Sequence, residues 1–483
     1  MLSVSLLIGG EARQASDARV FERCCPVTGE IVSRAASATP SDAADAVTAA
    51  AAAFYKWSRT GPSQRRDRLM QAASVLESRS DELRHAMAME IGATRAWADF
   101  NVHLSAMVLR EAASLVTHIT GSILPSDTPG MEAYAIRQPV GVVLGLAAWN
   151  APLLMGVRAI AAPLACGNTV VLKASELCPA THRLIGEIMD QAGLGAGVVN
   201  VVTNAVPDAG AIVESLVGNP AVRRVNFTGS TRVGRTIAEL AAKYLKPVLL
   251  ELGGKAAMIV LDDADVDEAV RAAAFGAFMN QGQLCMSTER IVVDSSLADA
   301  FAEKLAAKAA SLVAGESRKA GAALGPVISI EAAERIADLV RDAVMKGARI
   351  LAGGGARGVC VDATVVDHVT PMMRLYYEES FGPVVAIIRV EGEEEAIRVA
   401  NDSEYGLSSA VFGRNVRRAF AVAQRLETGM CHINGPTVHD EAHMPFGGMK
   451  ASGHGRFGGE AAIHEFTELR WITVSTKPRD YRQ

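Results

Sequence analysis

KPVLLELGGKAAMIVLDDADVDEAVRAAAFGAFMNQGQLCMSTERIVVD, from Lys246 to Asp294, decides the fold. KPVLLE reads as an apolar strand that ends on two glycines, and AAMIVLDDAD as a second strand. DVDEAVRAAAFGAFMNQG reads as a helix and ERIVVD as a third strand. These strands are apolar throughout instead of alternating, and a helix lies between two of them. That pattern predicts an α/β fold with a mostly parallel sheet covered by helices. Gly253 and Gly254 punctuate the series and place a domain boundary there.

The same alternation extends in both directions. Upstream, VGVVLGLAA, NTVVLKA, GVVNVVT and RRVNFTG are buried-strand candidates, and ATHRLIGEIMDQAG is one of the helices between them. Ser41 is expected to cap an Ala-rich helix, SDAADAVTAAAAAFYKW. One long helix is expected over SQRRDRLMQAASVLESRSDELRHAMAMEIG, ending near Gly92. Downstream, ADAFAEKLAAKAASLVAG and ISIEAAERIADLVRDAVMKGA are helices, so a second α/β unit follows the first. ELRWITVST alternates like a strand with one apolar face.

Bulk properties narrow the function. The chain has 483 residues, enough for two or three domains. Its 49 % apolar and 21 % charged composition fits a globular enzyme. A net charge of −5 gives no footprint for nucleic acid. The apolar stretch from Pro139 to Leu172 is interrupted by Asn150, Pro152, Arg158, Pro163 and Asn168, so no membrane span is expected. Seven scattered cysteines without a Cys-x-x-Cys pair suit a reducing cytoplasm, and the first residues lack the basic start of a signal peptide.

Four segments could carry chemistry. Cys285 follows a helix and a glycine turn among polar residues; a reactive thiol needs access and a tuned field, whereas a structural one is simply buried. Glu251 is a carboxylate within an apolar strand, where burial raises its pKa toward that of a neutral-pH base; the alternative is a structural partner for an arginine. Asn150 ends the strand VGVVLGLAAWN, where an amide can donate to an oxyanion or merely serve a turn. FTGSTRVGRT, Phe227 to Thr236, is a strand, loop and helix start that could hold a pyrophosphate. It also comes within one residue of a P-loop, with Arg235 in place of Lys, and that defines a rival reading as a nucleotide triphosphatase. HDEAH, His439 to His443, has zinc-like spacing, but its glutamate is misplaced and its surroundings are loop, so no metal is expected.

Together these segments resemble the aldehyde dehydrogenase superfamily. LELGGK, GQLCMSTER, AWN, KASE, FTGSTRVG, EESFGPV and MPFGGMKASGHGR stand in family order, with Glu251 and Cys285 34 residues apart. The triphosphatase reading falls behind. The resemblance implies two Rossmann-type α/β domains and a small β oligomerisation arm. It places the dinucleotide-binding domain at 1–118 and 140–253, the catalytic domain at 254–453, and the arm at 119–139 and 465–483.

It further implies that Cys285 is the nucleophile, that Glu251 activates water, and that Asn150 holds the oxyanion. Trp149, Lys173, Ser175, Glu176, Phe227, Gly229, Ser230, Gly253, Glu379 and Phe381 would line the cofactor site. A glutamate at the adenosine ribose favours NAD over NADP, although NADP stays possible. Ala148 stands where the family usually has proline.

The chain is most similar to the bacterial branch acting on salicylaldehyde, vanillin and benzaldehyde. Trp97, Phe100, Leu154, Met286 and Phe446 are candidate pocket walls. Arg158, two helical turns after Asn150, would meet a ring hydroxyl, shape the entrance or form an ion pair. An aliphatic or semialdehyde substrate is the alternative. A homodimer or homotetramer is expected from the exposed arm strand.

Overall fold

The computed structural model describes residues 1–316 and 322–477. Two sheets organise the chain. The first has eight strands, in the order Gly453–His454, Val248–Glu251, Val222–Thr228, Val142–Leu146, Thr169–Lys173, Val199–Val202, Leu6–Ile8 and Glu11–Arg13. Its middle five are mutually parallel. Three of them, Val142–Leu146, Thr169–Lys173 and Val199–Val202, are buried at every position, and this explains their unbroken apolar runs. From Val142–Leu146 the chain winds outward to one side, then returns to add Val222–Thr228 and Val248–Glu251 on the other. The two adjacent strands at this reversal leave a crevice at their carboxyl ends, where open α/β sheets take ligands.

The second sheet has seven strands. Thr364–Asp367, Val384–Val390, Thr288–Asp294, Ala256–Val260, Ser408–Phe412 and Met430–Ile433 run parallel, and Arg349–Ala352 pairs antiparallel at one edge. Ala256–Val260 starts five residues after the first sheet's Glu251, so the two sheets are joined through Gly253 and Gly254. A third, three-stranded sheet pairs Thr467–Ser475 with Met131–Pro139 over nine residues, with Ser122–Leu124 beyond. Residues 478–483, assigned from the sequence to the arm, lie outside the described residues.

Two local expectations change. The Ala-rich helix is Pro40–Trp57, and its cap is Thr39, not Ser41. Thr39 is extended and its hydroxyl accepts from the Asp42 N–H. Asp42 accepts back from the Thr39 N–H at 2.8 Å, which completes a reciprocal cap, and Pro40 takes the first helical position where its missing N–H costs nothing. The expected long helix is two helices, Pro62–Ser78 and Ser80–Ile91. They break at Arg79 (φ −99°, ψ 18°), whose guanidinium binds Glu82 and Glu187. The second ends on a left-handed Gly92, as expected.

Candidate active site

Every candidate site residue of the sequence lines one cleft of about 690 Å³. It opens at the carboxyl ends of Val142–Leu146 and Val222–Thr228 and reaches the start of the second sheet.

Asn150 lies in the loop after Val142–Leu146 and not in the strand itself, which ends four residues earlier. Its backbone carbonyl accepts from Trp97 Nε1 at 2.9 Å and from Asn280 Nδ2 at 3.2 Å. Its own Nδ2 donates to the Gln283 carbonyl at 3.0 Å, two residues before Cys285. The amide is thus tied to the cysteine's own turn. Ala148 also faces the cleft, and these three bonds fix the loop without a proline. Helix Pro152–Ala165 then starts at Pro152 and presents Leu154 and Arg158 to the same space.

Cys285 follows a strained turn. Asn280 and Gln281 have φ of 48° and 55°, a left-handed conformation costing about 1–3 kcal/mol per residue. The surroundings over-determine it. Gln281 accepts from the Gly325 N–H and donates to the Pro326 carbonyl, and Gln283 accepts from the Ile328 N–H. The turn also presses on main chain. A Cβ on Gly254 would sit 2.3 Å from the Cys285 carbonyl oxygen, and one on Gly282 would sit 2.0 Å from that of Gly382. Only glycine fits at either place. Of the seven cysteines, Cys25, Cys166, Cys178 and Cys360 are buried, whereas Cys285 is partly exposed in the cleft. Its thiol is pushed well above the usual range by burial and by the neighbouring Glu251 carboxylate.

Glu251 ends the strand Val248–Glu251 and is 2 % exposed. Burial raises its pKa to about 7, against the opposing pull of the Cys285 thiol and the Arg158 guanidinium. Its Oε1 has no hydrogen-bond partner among the described residues. It is therefore a base poised at neutral pH beside a protonated thiol, not a carboxylate neutralised by a contacting arginine.

The rest of the cleft carries groups suited to a dinucleotide. Glu176 stays below the usual range, because Lys173 and the hydrogen bond from Asn204 outweigh its burial. Gly229 and Ser230 precede helix Thr231–Lys243, with Ser230 Oγ capping the Val233 N–H. Arg235 pairs at the surface with Glu404, away from any phosphate position. Phe227 and Gly253 line the same wall. The Ser175 hydroxyl is used locally, accepting from the Leu177 N–H. Glu379, raised to about 8 by burial and by Glu289, accepts from the Gly254 N–H at 2.8 Å. Phe381 meets the Trp149 ring edge-on at 5.7 Å. Carboxylates at two separated points can accept from ribose diols, a helix N-terminus suits a pyrophosphate, and aromatic walls suit a ring. The donor set therefore fits a nicotinamide dinucleotide.

Three supports escaped the sequence reading. Phe381 has φ of +45° and is held there by Glu289, which accepts from the Ser380 and Phe381 N–H groups. Glu289 in turn pairs at 2.5 Å with Lys255, which is fully buried. Arg335 donates to the carbonyls of Glu379 and Ser380. Glu289 and Lys255 stand inside GQLCMSTER and LELGGK, so the signatures contained them, but nothing in one dimension pairs them.

The remaining wall is apolar. Trp97 and Phe100 stack at 5.1 Å, and Leu154, Met286 and Phe446 are buried against them. Arg158 is an ion-pair residue, bound to Asp440 at 2.6 Å, and it also lies over the Phe446 ring at 4.8 Å within the cleft. His439 and His443 of HDEAH pair with Glu441 near the surface, and no group of three or more His, Cys, Asp or Glu side chains is placed together for a metal among the described residues.

The aldehyde dehydrogenase family model matches residues 13–472. A vanillin dehydrogenase of Pseudomonas fluorescens is 59 % identical over 481 residues, covering all of both chains. A salicylaldehyde dehydrogenase of Pseudomonas putida is 49 % identical over 481 residues, 99 % of this chain and 100 % of that one. A solved salicylaldehyde dehydrogenase from Pseudomonas putida, complexed with salicylaldehyde, superposes with a TM-score of 0.98 at 48 % identity, covering both chains fully.

Proposed function

The chain belongs to the aldehyde dehydrogenase family and oxidises aldehydes with NAD(P), and from that premise we propose that it converts an aromatic aldehyde to the acid at Cys285. One observation carries the assignment of the site: a partly exposed thiol, a buried carboxylate with one oxygen free of any hydrogen bond among the described residues, and a tethered amide meet in a single cleft.

Cys285 Sγ adds to the carbonyl carbon as its proton is lost to water in the cleft. Asn150 Nδ2 and the Cys285 N–H hold the oxygen that becomes negative. The nicotinamide dinucleotide, when bound, supplies the acceptor for the hydride that leaves the thiohemiacetal carbon. Glu251, whose displaced pKa lets it accept a proton near neutrality, takes one from the water that attacks the thioester. The acid departs and Sγ is free again. Lys173 and Glu176 would hold one ribose, Glu379 the other, and Phe381 would flank the nicotinamide.

The Trp97–Phe100 stack with Leu154, Met286 and Phe446 makes a flat apolar slot. Burying an aromatic ring there contributes about 2–3 kcal/mol, or roughly a hundredfold in kcat/KM over acetaldehyde. Glu176 would repel a 2′-phosphate, so NAD is preferred. The arm strand Thr467–Ser475 has one unpaired edge and exposes Leu469 and Trp471, a surface for a homodimer or a dimer of dimers. No helix among the described residues is long and apolar enough to cross a membrane.

A kinetic panel of salicylaldehyde, vanillin, 4-hydroxybenzaldehyde, benzaldehyde and acetaldehyde, run with NAD and with NADP, tests the reading. Hydroxylated benzaldehydes with NAD are expected to lead. A clear advantage for acetaldehyde overturns the aromatic assignment, and one for NADP overturns the cofactor preference.

A further inference from the structure

Asp440 belongs to the HDEAH segment, whose histidines pair with Glu441. Its side chain is 3 % exposed and lines the cleft beside Arg158 and Phe446. One carboxylate oxygen, Oδ2, accepts from Arg158 Nη2 at 2.6 Å. The other, Oδ1, is buried and has no hydrogen-bond partner among the described residues. Arg158 is itself 6 % exposed, so the two charges offset each other inside the wall. An ion pair serving the fold alone does not require a buried acceptor without a donor on a residue that lines the cleft. Such an oxygen costs free energy until something donates to it.

We propose that Asp440 Oδ1 accepts a hydrogen bond from a hydroxyl on the aromatic ring of the aldehyde, with Arg158 fixing the carboxylate for that purpose. The inference rests on the aromatic-aldehyde reading and adds the residue that selects within it: Asp440 would favour rings bearing a free O–H over bare or O-methylated rings. A methoxy group keeps the oxygen but loses the donor, and it faces Oδ1 with a second acceptor. Because the contact lies away from the reacting carbon, it acts on ground state and transition state alike and appears mainly in KM.

The test compares kcat/KM of the full-length enzyme for 2-, 3- and 4-hydroxybenzaldehyde, each methoxy analogue, and benzaldehyde, at a pH where the phenols are protonated. In the unmodified enzyme at least one hydroxy isomer is expected to exceed its methoxy analogue by about tenfold or more. Asp440→Asn turns a donor toward the ring once its oxygen takes Arg158, so that ratio should fall about tenfold while benzaldehyde changes less than about threefold. Should Asp440→Asn not fold, the double variant Arg158→Met/Asp440→Leu decides, because an apolar pair of similar volume replaces a buried ion pair at little cost. It should erase the ratio; because each hydroxy and methoxy pair is compared within the same variant, any change in Glu251 caused by losing Arg158 cancels. A ratio that survives both variants overturns the role of Asp440, as does a parallel fall for benzaldehyde in Asp440→Asn or a ratio near one at the outset. A failure of the underlying reading looks different, because acetaldehyde then outcompetes benzaldehyde in the unmodified enzyme.

Discussion

Glu251→Gln separates the two halves of the reaction and tests the electrostatics of the cleft. Burial lifts the carboxyl from about 4.5 to about 7, a displacement worth about 3 kcal/mol of ionisation cost. At pH 6 only about a tenth of the enzyme then carries the base. Steady-state kcat should climb about tenfold from pH 6 to pH 7.5 and level off above. The glutamine cannot take the proton of water, so its kcat should lie roughly 10²–10⁴-fold lower, without that limb. Stopped-flow absorbance of NADH should still show a burst in the variant, because the thioester forms and then waits. The reasoning fails if the wild-type limb sits near 4.5, if the limb persists in Glu251→Gln, or if the burst vanishes while dinucleotide binding is intact.

The same displacement has a stability side. The folded-state value lies above the unfolded one, so the carboxyl costs nothing below about pH 4.5, where both states hold the proton. The cost grows from there to about pH 7 and is complete above it. Thermal unfolding of Glu251→Gln should match the wild type near pH 4.5 and exceed it at pH 8.

Cys285→Ala should end turnover with every aldehyde yet keep NADH binding, read by fluorescence titration; residual turnover would move the nucleophile elsewhere. Glu289→Gln strands the buried Lys255 ammonium, and breaking such a pair costs about 3–5 kcal/mol. It also weakens the acceptor that holds Phe381 at positive φ. A lower unfolding temperature should accompany a dinucleotide KM raised about tenfold, with the aldehyde KM nearly unchanged; an aldehyde-specific defect would contradict the placement. Light scattering on the eluting protein should give a dimer or tetramer, and a monomer would refute the role of the Thr467–Ser475 edge.

The chemistry of the cleft was legible where residue type and spacing are themselves constrained. Glu251 and Cys285 stand out as candidates because a carboxylate in an apolar strand and a thiol in a polar turn both break local rules, but each keeps a structural alternative until the seven motifs are read together. Asn150 reads from the sequence as the end of a strand, and neither its loop nor its tether to Gln283 was legible, because that bond spans 133 residues. Asp440 was hidden more thoroughly. Its segment invites a metal reading, and its partner Arg158 stands 282 residues away. The fold followed the same division. Buried parallel strands show as apolar runs, and Gly92 marks a helix end because only the backbone is at issue. The break at Arg79 has no glycine or proline to signal it and is tied to the long-range contact with Glu187. Thr39 was displaced in the reading by Ser41, although Pro40 between them marks the first helical turn and so points to the residue before it.

Cys285 and its pocket are built from different materials. The cysteine's turn is wedged against main chain, at Gly254 on one side and through Gly282 against Gly382 on the other. Peptide atoms are the same whatever residue bears them, so side-chain exchange reaches the sulfur only through the few side chains that bond its turn, Asn150, Gln281 and Gln283. The facing wall, from Trp97 and Phe100 to Leu154, Met286 and Phe446, consists of replaceable side chains. Retargeting the enzyme is therefore a matter of refitting that wall. A library confined to Phe100, Leu154, Met286 and Phe446 would explore new aldehydes while Trp97 kept its bond to the Asn150 carbonyl, so that differences between its members would report the shape of the wall.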